Sequence, residues 1–280
     1  MIDFHIHLYP PEVIRDAEKI SEREPYFDAL VHNSVHKWAT LDDLLPRIER
    51  DGLERAVVGG FAFRDLGLCK MCNDYIIECV KKHPDKLDGL CLVPPLARGF
   101  DAEILRCADA GLVGVGELFP EGQGLDLSDI SHTWRLAGAA HEAGLCVLWH
   151  TAEPVGHEYA GKGSVGPKEA AAFCLHHPEV LVVFAHLGGG LWLYEQMPEM
   201  RLCLSNAFYD LAALPWLYDA RILKVIEAAG TADKFLMGTD FPLLDSSRYE
   251  KALAASGIAQ DSIERIRRKN ALGLLEKLRK

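Results

Sequence analysis

The chain opens with the stretch Asp3-Phe4-His5-Ile6-His7. In a β-strand successive side chains point to opposite faces, so the two histidines share one face and Ile2, Phe4 and Ile6 share the other. Two imidazoles that stand side by side on one strand can bind a single metal ion. We therefore interpret this stretch as the first strand of a buried sheet and as one part of a metal site.

Short apolar runs alternate with amphipathic helical segments about eight times along the chain. Most of the runs are apolar on both faces, which is typical of parallel strands buried between helices and a barrel interior. The pattern predicts an α/β fold, a (β/α)8 TIM barrel that forms one domain over residues 1–280. A doubly wound open sheet is the alternative, and it is disfavoured because no glycine-rich dinucleotide loop follows the first strand. The predicted strands are 2–7, 54–60, 87–93, 112–117, 145–150, 180–185, 201–205 and 235–239.

Two connections are longer than ordinary barrel loops. Residues 8–40 and 151–167 both follow predicted strands, so both insertions are expected on the face of the barrel where active sites are built. Long loops in compact domains usually carry function.

Five of the predicted strands carry, at or directly after their last residue, a side chain that can bind a metal ion. The carboxyl ends of barrel strands converge on one rim, so these side chains are expected to meet there. One of them alone would be weak evidence, but five strand ends with histidine, glutamate or aspartate predict a metal centre. The candidate ligands are His5, His7, Glu117, His150, His186 and Asp240.

With these motifs, the chain resembles the amidohydrolase superfamily of metal-dependent hydrolases. It is most similar to the amidohydrolase-2 branch, which includes aminocarboxymuconate-semialdehyde decarboxylase. The resemblance extends from the opening histidine pair to Gly238-Thr239-Asp240-Phe241-Pro242 and to Asn270-Ala271. It implies that a divalent metal is bound by His5, His7, His150 and Asp240. The resemblance also implies that His186 binds a second metal or orients the attacking water.

Glu117 departs from the pattern of many binuclear members, which bridge their two metals with a carboxylated lysine at the end of strand 4. Its place in Gly-Val-Gly-Glu is similar to that of the bridging glutamate of TatD-type deoxyribonucleases. The alternative is that Glu117 accepts a hydrogen bond from a ligand histidine and fixes its tautomer. One or two metal ions are therefore both open.

The ligand set favours zinc, with manganese and iron as alternatives, and the expected chemistry is attack by a metal-activated water. Asp240 is predicted to accept the proton of that water, and His186 to contact the substrate carbonyl or the water. Substrate contacts are predicted from the second insertion and from an arginine after strand 2. These candidates are His157, Tyr159, Lys162 and Arg64.

The first functional hypothesis is a hydrolase that cleaves an amide, ester or lactone bond of a small molecule. A metal-dependent decarboxylase of a small carboxylic acid is the second, and a non-catalytic small-molecule binder is the third. A bridged pair of metals would favour hydrolysis, whereas a single metal with an arginine-lined pocket would favour decarboxylation.

Composition limits the partners. The formal net charge is −11, which argues against nucleic acid. No apolar run approaches the length of about 18 residues that a membrane span needs. The sequence shows no secretory signal and contains eight cysteines, so we expect reduced thiols and a cytoplasmic protein. Cys69 and Cys72 are expected to pack inside a helix. A homodimer is the default expectation for its assembly.

Overall fold

A computed structural model describes residues 1–279, and Lys280, the last residue of the predicted domain, lies outside the described residues. Eight parallel strands follow one another around a sheet in the order of the chain. They alternate with helices, as the sequence predicts. The strands are β1 (Ile2–His7), β2 (Arg55–Gly59), β3 (Leu87–Cys91), β4 (Gly114–Leu118), β5 (Cys146–Trp149), β6 (Val182–Phe184), β7 (Ala207–Asp210) and β8 (Phe235–Leu236).

Backbone contacts between β1 and the chain around β8 close the sheet. The amide of Phe4 donates to the carbonyl of Met237 at 2.8 Å, and the amide of His7 donates to that of Phe241 at 2.7 Å. Ile6 also forms a parallel bridge with Phe241. The prediction of a (β/α)8 barrel is confirmed.

Helices fill the connections, and the first long one shows how the sequence sets its limits. A capping box at Thr40 and Asp43 begins the helix Leu41–Asp51, and Gly52 ends it with a left-handed φ of 60°. The other longer helices are Leu66–Lys82, Phe100–Asp109, Ile130–Glu142, Pro167–His176, Ser246–Ser256 and Asn270–Leu278. The shorter ones are Pro11–Arg15, Ala17–Ser21, Pro25–Val31, Pro120–Gln123, Pro198–Cys203, Leu214–Leu217, Ile222–Ala228 and Gln260–Glu264, with 3-10 turns at His186–Gln196 and Ala232–Lys234 and a π turn at Arg265–Lys269.

The predicted strand at 201–205 is wrong. Residues Pro198–Cys203 form a helix that begins at a proline in its first turn, a position where proline needs no amide donor. The seventh strand lies a few residues later, at Ala207–Asp210. The helix Ser246–Ser256 was also missing from the predicted pattern.

Strand residues separate into two hydrophobic clusters. Val57 belongs to a smaller cluster with Phe4 and Leu148, whereas its neighbours Ala56 and Val58 belong to a larger cluster that includes the outer helices. Because successive residues of a strand face opposite sides, the smaller cluster fills the barrel and the larger one lies between sheet and helices. Cys69 and Cys72 are buried in this outer layer on the helix Leu66–Lys82, as predicted.

Phe4 and Ile6, which were expected on one face of β1, belong to different clusters, because the register of β1 against β2 shifts between Asp3 and Ile6. The expectation that they share a face is therefore wrong.

Candidate metal centre

The six candidate ligands form two buried groups of three at the carboxyl rim of the barrel. His5, His7 and Asp240 make the first group, and Glu117, His150 and His186 make the second. In each group, one nitrogen or oxygen from every residue lies within 4.8 Å of the others. Residues from β1 and β4 and from the segments after β5, β6 and β8 therefore meet as the sequence pattern predicts.

The first group presents two imidazole nitrogens and a carboxylate to one point. The Nε2 atoms of His5 and His7 are 3.1 Å apart. Oδ1 of Asp240 is 3.4 Å from Nε2 of His7 and 3.7 Å from Nε2 of His5. Nitrogen ligands about 2.0–2.1 Å from a zinc ion lie slightly more than 3 Å apart, so this spacing fits one ion.

The second group has the same composition. Nδ1 of His150 is 3.1 Å from Nε2 of His186. Oε1 of Glu117 is 3.0 Å from the first of these nitrogens and 3.3 Å from the second. This group could hold a second ion.

Glu117 lies between the two groups. Its Oε1 faces His150 and His186, whereas its Oε2 is 3.5 Å from Nε2 of both His5 and His7. One carboxylate oxygen thus faces each group. This arrangement favours the bridging interpretation over a purely orienting one.

In each of the four candidate histidines, the ring nitrogen that points away from the other ligands forms a hydrogen bond with an oxygen atom. A ligand histidine usually donates its second ring N–H to such an acceptor, which leaves the other nitrogen unprotonated toward the metal. The donor set of imidazoles and carboxylates, held in this way, fits divalent metal ions. The acceptors are Asp210 Oδ2 for His5 (2.8 Å), the carbonyl of Gly60 for His7 (2.9 Å), the carbonyl of Lys162 for His150 (2.9 Å) and the carbonyl of Ala212 for His186 (3.2 Å).

Two of the ligands have an unusual backbone. His186 and Asp240 have φ values of 55° and 59°, in the left-handed region that residues other than glycine rarely adopt. The backbone turns sharply at these points, just after β6 and β8, and brings each side chain back over the barrel mouth. Such conformations cluster at functional sites.

A buried network of hydrogen bonds supports the first group of candidate ligands. Nη2 of Arg47 donates to Asp3 Oδ2 at 2.7 Å and to Thr239 Oγ1 at 3.1 Å, and Asp3 Oδ1 accepts from the amides of His5 and Thr239. These bonds join the residues that precede the ligands His5 and Asp240. The network therefore fixes the relative position of β1 and β8 at the site.

Electrostatics favour charged forms of these groups in the absence of metal. Burial lowers the pKa of His7 and His186, but hydrogen bonds that the imidazoles donate to nearby carboxylates outweigh burial and raise each pKa to about 9. Burial would raise the pKa of Asp240, yet the surrounding histidines lower it to about 2, and they hold the pKa of Glu117 well below its usual value. The carboxylates of Glu117 and Asp240 are therefore stabilised by positive partners, either protonated histidines or metal ions.

Asp210 is the residue that sequence reasoning missed. It ends β7, and its carboxylate accepts from Nδ1 of His5 and from the backbone amides of His186 and Ala212. It escaped notice because the seventh strand was predicted at 201–205. The correct strand ends in an acidic residue, which is the same signal that marked the ligands.

A cavity of about 280 Å³ opens above the two groups, and both insertions contribute to its wall. Tyr9 and Leu30 come from the first insertion, and His157 and Tyr159 from the second. His157 and Tyr159, two of the predicted substrate contacts, therefore line the cavity.

Arg64 and Lys162 lie elsewhere. The side chain of Arg64 is exposed, and its Nε donates to the carbonyl of Gly122. Lys162 is buried, and its ammonium donates to Glu158 and to the carbonyl of Val155 within the second insertion. Neither is among the residues that line the cavity. The contacts of Lys162 instead stabilise the insertion.

Together, the closed barrel and the paired ligand groups define a metal-dependent enzyme of the TIM-barrel type. The model of the amidohydrolase family Amidohydro_2 matches residues 2–277. The chain belongs to this family and is an enzyme of the metal-dependent amidohydrolase superfamily.

Solved structures agree in fold. A 2,6-dihydroxybenzoate decarboxylase from Rhizobium is 18% identical over 98% of both chains, with a TM-score of 0.73. A 5-carboxyvanillate decarboxylase from Novosphingobium aromaticivorans, complexed with manganese and a nitrobenzoic acid, is 14% identical over 98% of this chain and 95% of that one, with a TM-score of 0.77. A probable 2-pyrone-4,6-dicarboxylic acid hydrolase from Acinetobacter baumannii, with bound citric acid, is 15% identical over 98% of both chains, with a TM-score of 0.65.

The curated proteins contain no match to this chain. Among the helices of residues 1–279, none has both the length and the apolar character needed to cross a bilayer.

Proposed function

We propose that this enzyme is a binuclear hydrolase that cleaves an amide, ester or lactone bond of a small molecule. The observation that carries the proposal is the position of Glu117, whose two carboxylate oxygens each face one group of ligands. A bridging carboxylate of this kind supports a pair of ions close together. Such pairs serve hydrolytic chemistry, in which water is added across the bond that breaks.

When bound, the divalent ions would lower the pKa of a water molecule and polarise the carbonyl of the substrate. The residues of this chain supply the remaining steps. Asp240 lines the cavity, and its depressed pKa keeps it a carboxylate at neutral pH. We assign it the role of general base, which accepts the proton of the attacking water and passes it to the leaving group.

The contacts of His186 favour a role as a metal ligand. Its Nδ1 is bonded to the carbonyl of Ala212, and its Nε2 lies 3.3 Å from Oε1 of Glu117. We therefore assign it to the second ion as a ligand. His157 and Tyr159, on the wall of the cavity, are the proposed substrate contacts.

Decarboxylation is the second candidate, because two of the structural neighbours described above are decarboxylases that act on, or bind analogues of, aromatic acids. Two features of this chain disfavour it. Glu117 supports two ions rather than one, and no arginine among residues 1–279 lines the cavity to hold the carboxylate that would leave. A non-catalytic binder is not retained, since the chain belongs to a family of enzymes.

Zinc is the proposed ion, because sets rich in imidazole suit it. Manganese is the alternative, and it is the ion bound to one of the neighbours. A cytoplasmic location and a homodimer remain proposals from the sequence, to be checked by fractionation and by light scattering.

The decisive experiment combines metal analysis with a substrate panel. Wild-type protein loaded with zinc or manganese should hold about two ions per chain and hydrolyse members of a panel of lactones, esters and amides. Glu117→Gln should hold fewer ions and lose turnover, whereas Glu121→Gln, an exposed glutamate four residues away, should behave as wild type. One ion per chain, together with release of CO2 from aromatic acids, would support decarboxylation instead.

A further inference from the structure

We infer that the substrate is a neutral molecule with an aromatic or similarly flat apolar body, and that it carries no carboxylate away from the bond that is cleaved. This inference rests on the proposed hydrolase function and names the substrate class for the same site. It comes from the size, the wall and the charges of the cavity above the ligands.

The wall of the cavity is aromatic close to the ligands. The rings of Phe61 and Phe119 stack with their centroids 5.7 Å apart, and Phe119 lies 4.8 Å from the ring of His150. Trp216 lines the cavity as well. Flat apolar rings gain both from burial and from contact with aromatic faces, so this wall favours an aromatic body next to the reacting group.

The volume agrees with a ligand of this kind. A dry cavity of about 150 Å³ binds benzene, and this one measures about 280 Å³. The space is therefore suited to a substituted or fused ring rather than to a long chain.

Positive side chains are scarce in the cavity. Lys37 is the one lysine or arginine of residues 1–279 that lines it, and this side chain is exposed, with its ammonium donating to the carbonyl of Leu243 at 3.1 Å. His36 also lines the cavity, but burial lowers its pKa to about 4, so it is neutral at pH 7. A substrate carboxylate inside the cavity would thus lose water and could gain only the solvent-exposed ammonium of Lys37 as a cationic partner, which offsets little of that cost.

The net charge of the protein acts in the same direction. The chain as a whole has a formal net charge of −11. The field of an acidic protein disfavours the approach of an anion. The metal ions would attract the group that reacts, but they lie at one end and do not compensate a charge at the other.

The test compares ligands of the same shape that differ in charge, at about pH 8, where a histidine with an unshifted pKa is mostly neutral. The substrates are 3,4-dihydrocoumarin-6-carboxamide and the corresponding 6-carboxylate, with the zinc-loaded enzyme. We expect kcat/KM for the carboxamide to exceed that for the carboxylate at least about tenfold. Equal values, or a preference for the carboxylate, would overturn the inference.

A binding measurement separates this inference from the proposed reaction. Hydroxamates bind metal centres at one end, so calorimetry with 4-carbamoyl- and 4-carboxybenzohydroxamic acid reports the effect of the distal charge without turnover. Tighter binding of the carbamoyl compound supports the inference even if no lactone is hydrolysed, in which case only the hydrolase proposal fails. Equal or tighter binding of the carboxy compound contradicts the inference whatever the enzyme hydrolyses.

A variant checks that the missing cation is the cause. Val35 lines the cavity and is 49% exposed, so a longer polar side chain can be accommodated there. Val35→Arg should bind the carboxylated hydroxamate more tightly than wild type does, by about tenfold, while Val35→Gln should not. The same affinity for both variants would contradict the argument from charge.

Discussion

Nδ1 of His5 donates a hydrogen bond of 2.8 Å to Oδ2 of Asp210, so a metal-site histidine at the start of the chain is oriented by an aspartate 205 residues later. The other oxygen of Asp210 accepts from the backbone amide of His186, a residue of the second ligand group. One carboxylate therefore positions residues of both groups. This relationship leads to the first prediction.

Asp210→Asn should weaken metal binding about tenfold to a hundredfold without unfolding the protein. The amide group cannot accept hydrogen bonds at both of its ends, so one N–H of His5, His186 or Ala212 would face another N–H. Competition with a chelator measures the affinity, and circular dichroism verifies the fold. Asp219→Asn, at an exposed aspartate, is the control. Unchanged affinity in Asp210→Asn would show that this bond does not orient the ligand.

Asp240→Asn should retain much of the bound metal and lose about a hundredfold to ten-thousandfold in turnover. An amide has no carboxylate oxygen to accept the proton of the attacking water, although its oxygen can still bind an ion. The measurements are kcat on the best substrate of the panel and the metal content of the same sample. Asp233→Asn, at an exposed aspartate seven residues earlier in the chain, should match wild type. Full activity with metal retained would exclude Asp240 as the base.

The metal-free protein should become less stable as the pH rises from about 6 to above 9. The pKa of His7 and of His186 is raised from 6.5 to about 9 by folding, so their contribution is complete below 6.5 and is lost as the pH passes through about 9. The pKa of Asp240 is lowered from 3.8 to about 2, so its contribution is present above 3.8 and is lost as the pH falls through about 2.

Urea unfolding of chelator-treated protein at several pH values measures this dependence. The metal-loaded protein is the control, because the ions replace protons as partners of the carboxylates and the alkaline loss of stability should shrink. A metal-free protein whose free energy of unfolding rises between pH 6 and 9.5 would contradict the prediction.

Arg47→Met should lower the free energy of unfolding by about 3–5 kcal/mol, because it leaves the buried carboxylate of Asp3 without its cation. Arg50→Met, on the same helix, removes two ion pairs, with Asp51 and Asp245, of a side chain that is 58% exposed, and it should cost at most about 1 kcal/mol. Chemical denaturation of the two variants gives the comparison.

The double variant Asp3→Asn/Arg47→Met tests the reason for this loss, since removal of the orphaned charge should recover part of the stability. If the double variant is less stable than Arg47→Met by the full cost of a second independent change, the two residues do not act as a pair.

The barrel and the convergence of the six candidate ligands could be predicted because each depends on a local pattern. An apolar run gives the strand, and a histidine or carboxylate as its last residue gives the ligand, since parallel strands deliver their carboxyl ends to one rim. Asp210 follows the same rule, but it was lost with the strand at 201–205, where the short apolar run Leu202-Cys203-Leu204 at the end of the helix Pro198–Cys203 imitated a strand.

Contacts between distant loops could not be predicted in this way. Arg64 has the charge that a substrate contact needs, but its hydrogen bond to the carbonyl of Gly122, 58 residues later, depends on how the loops fold over the barrel. Nothing in the spacing of residues encodes this partner. The same limit applies to Arg47, whose burial depends on the closure of β8 against β1.

The carbonyl of Lys162 accepts the hydrogen bond of Nε2 of His150, so the second insertion is attached by its own backbone to a ligand residue. Exchange of surface loops is a common route to new specificity in barrel enzymes, and here it would disturb more than recognition. A graft that replaced 151–167 would have to reproduce a hydrogen-bond acceptor at the same point in space. Without it, the position of His150 in the candidate metal site would be disturbed. Redesign of this enzyme should therefore vary other parts of the insertion and keep the segment that contains Lys162.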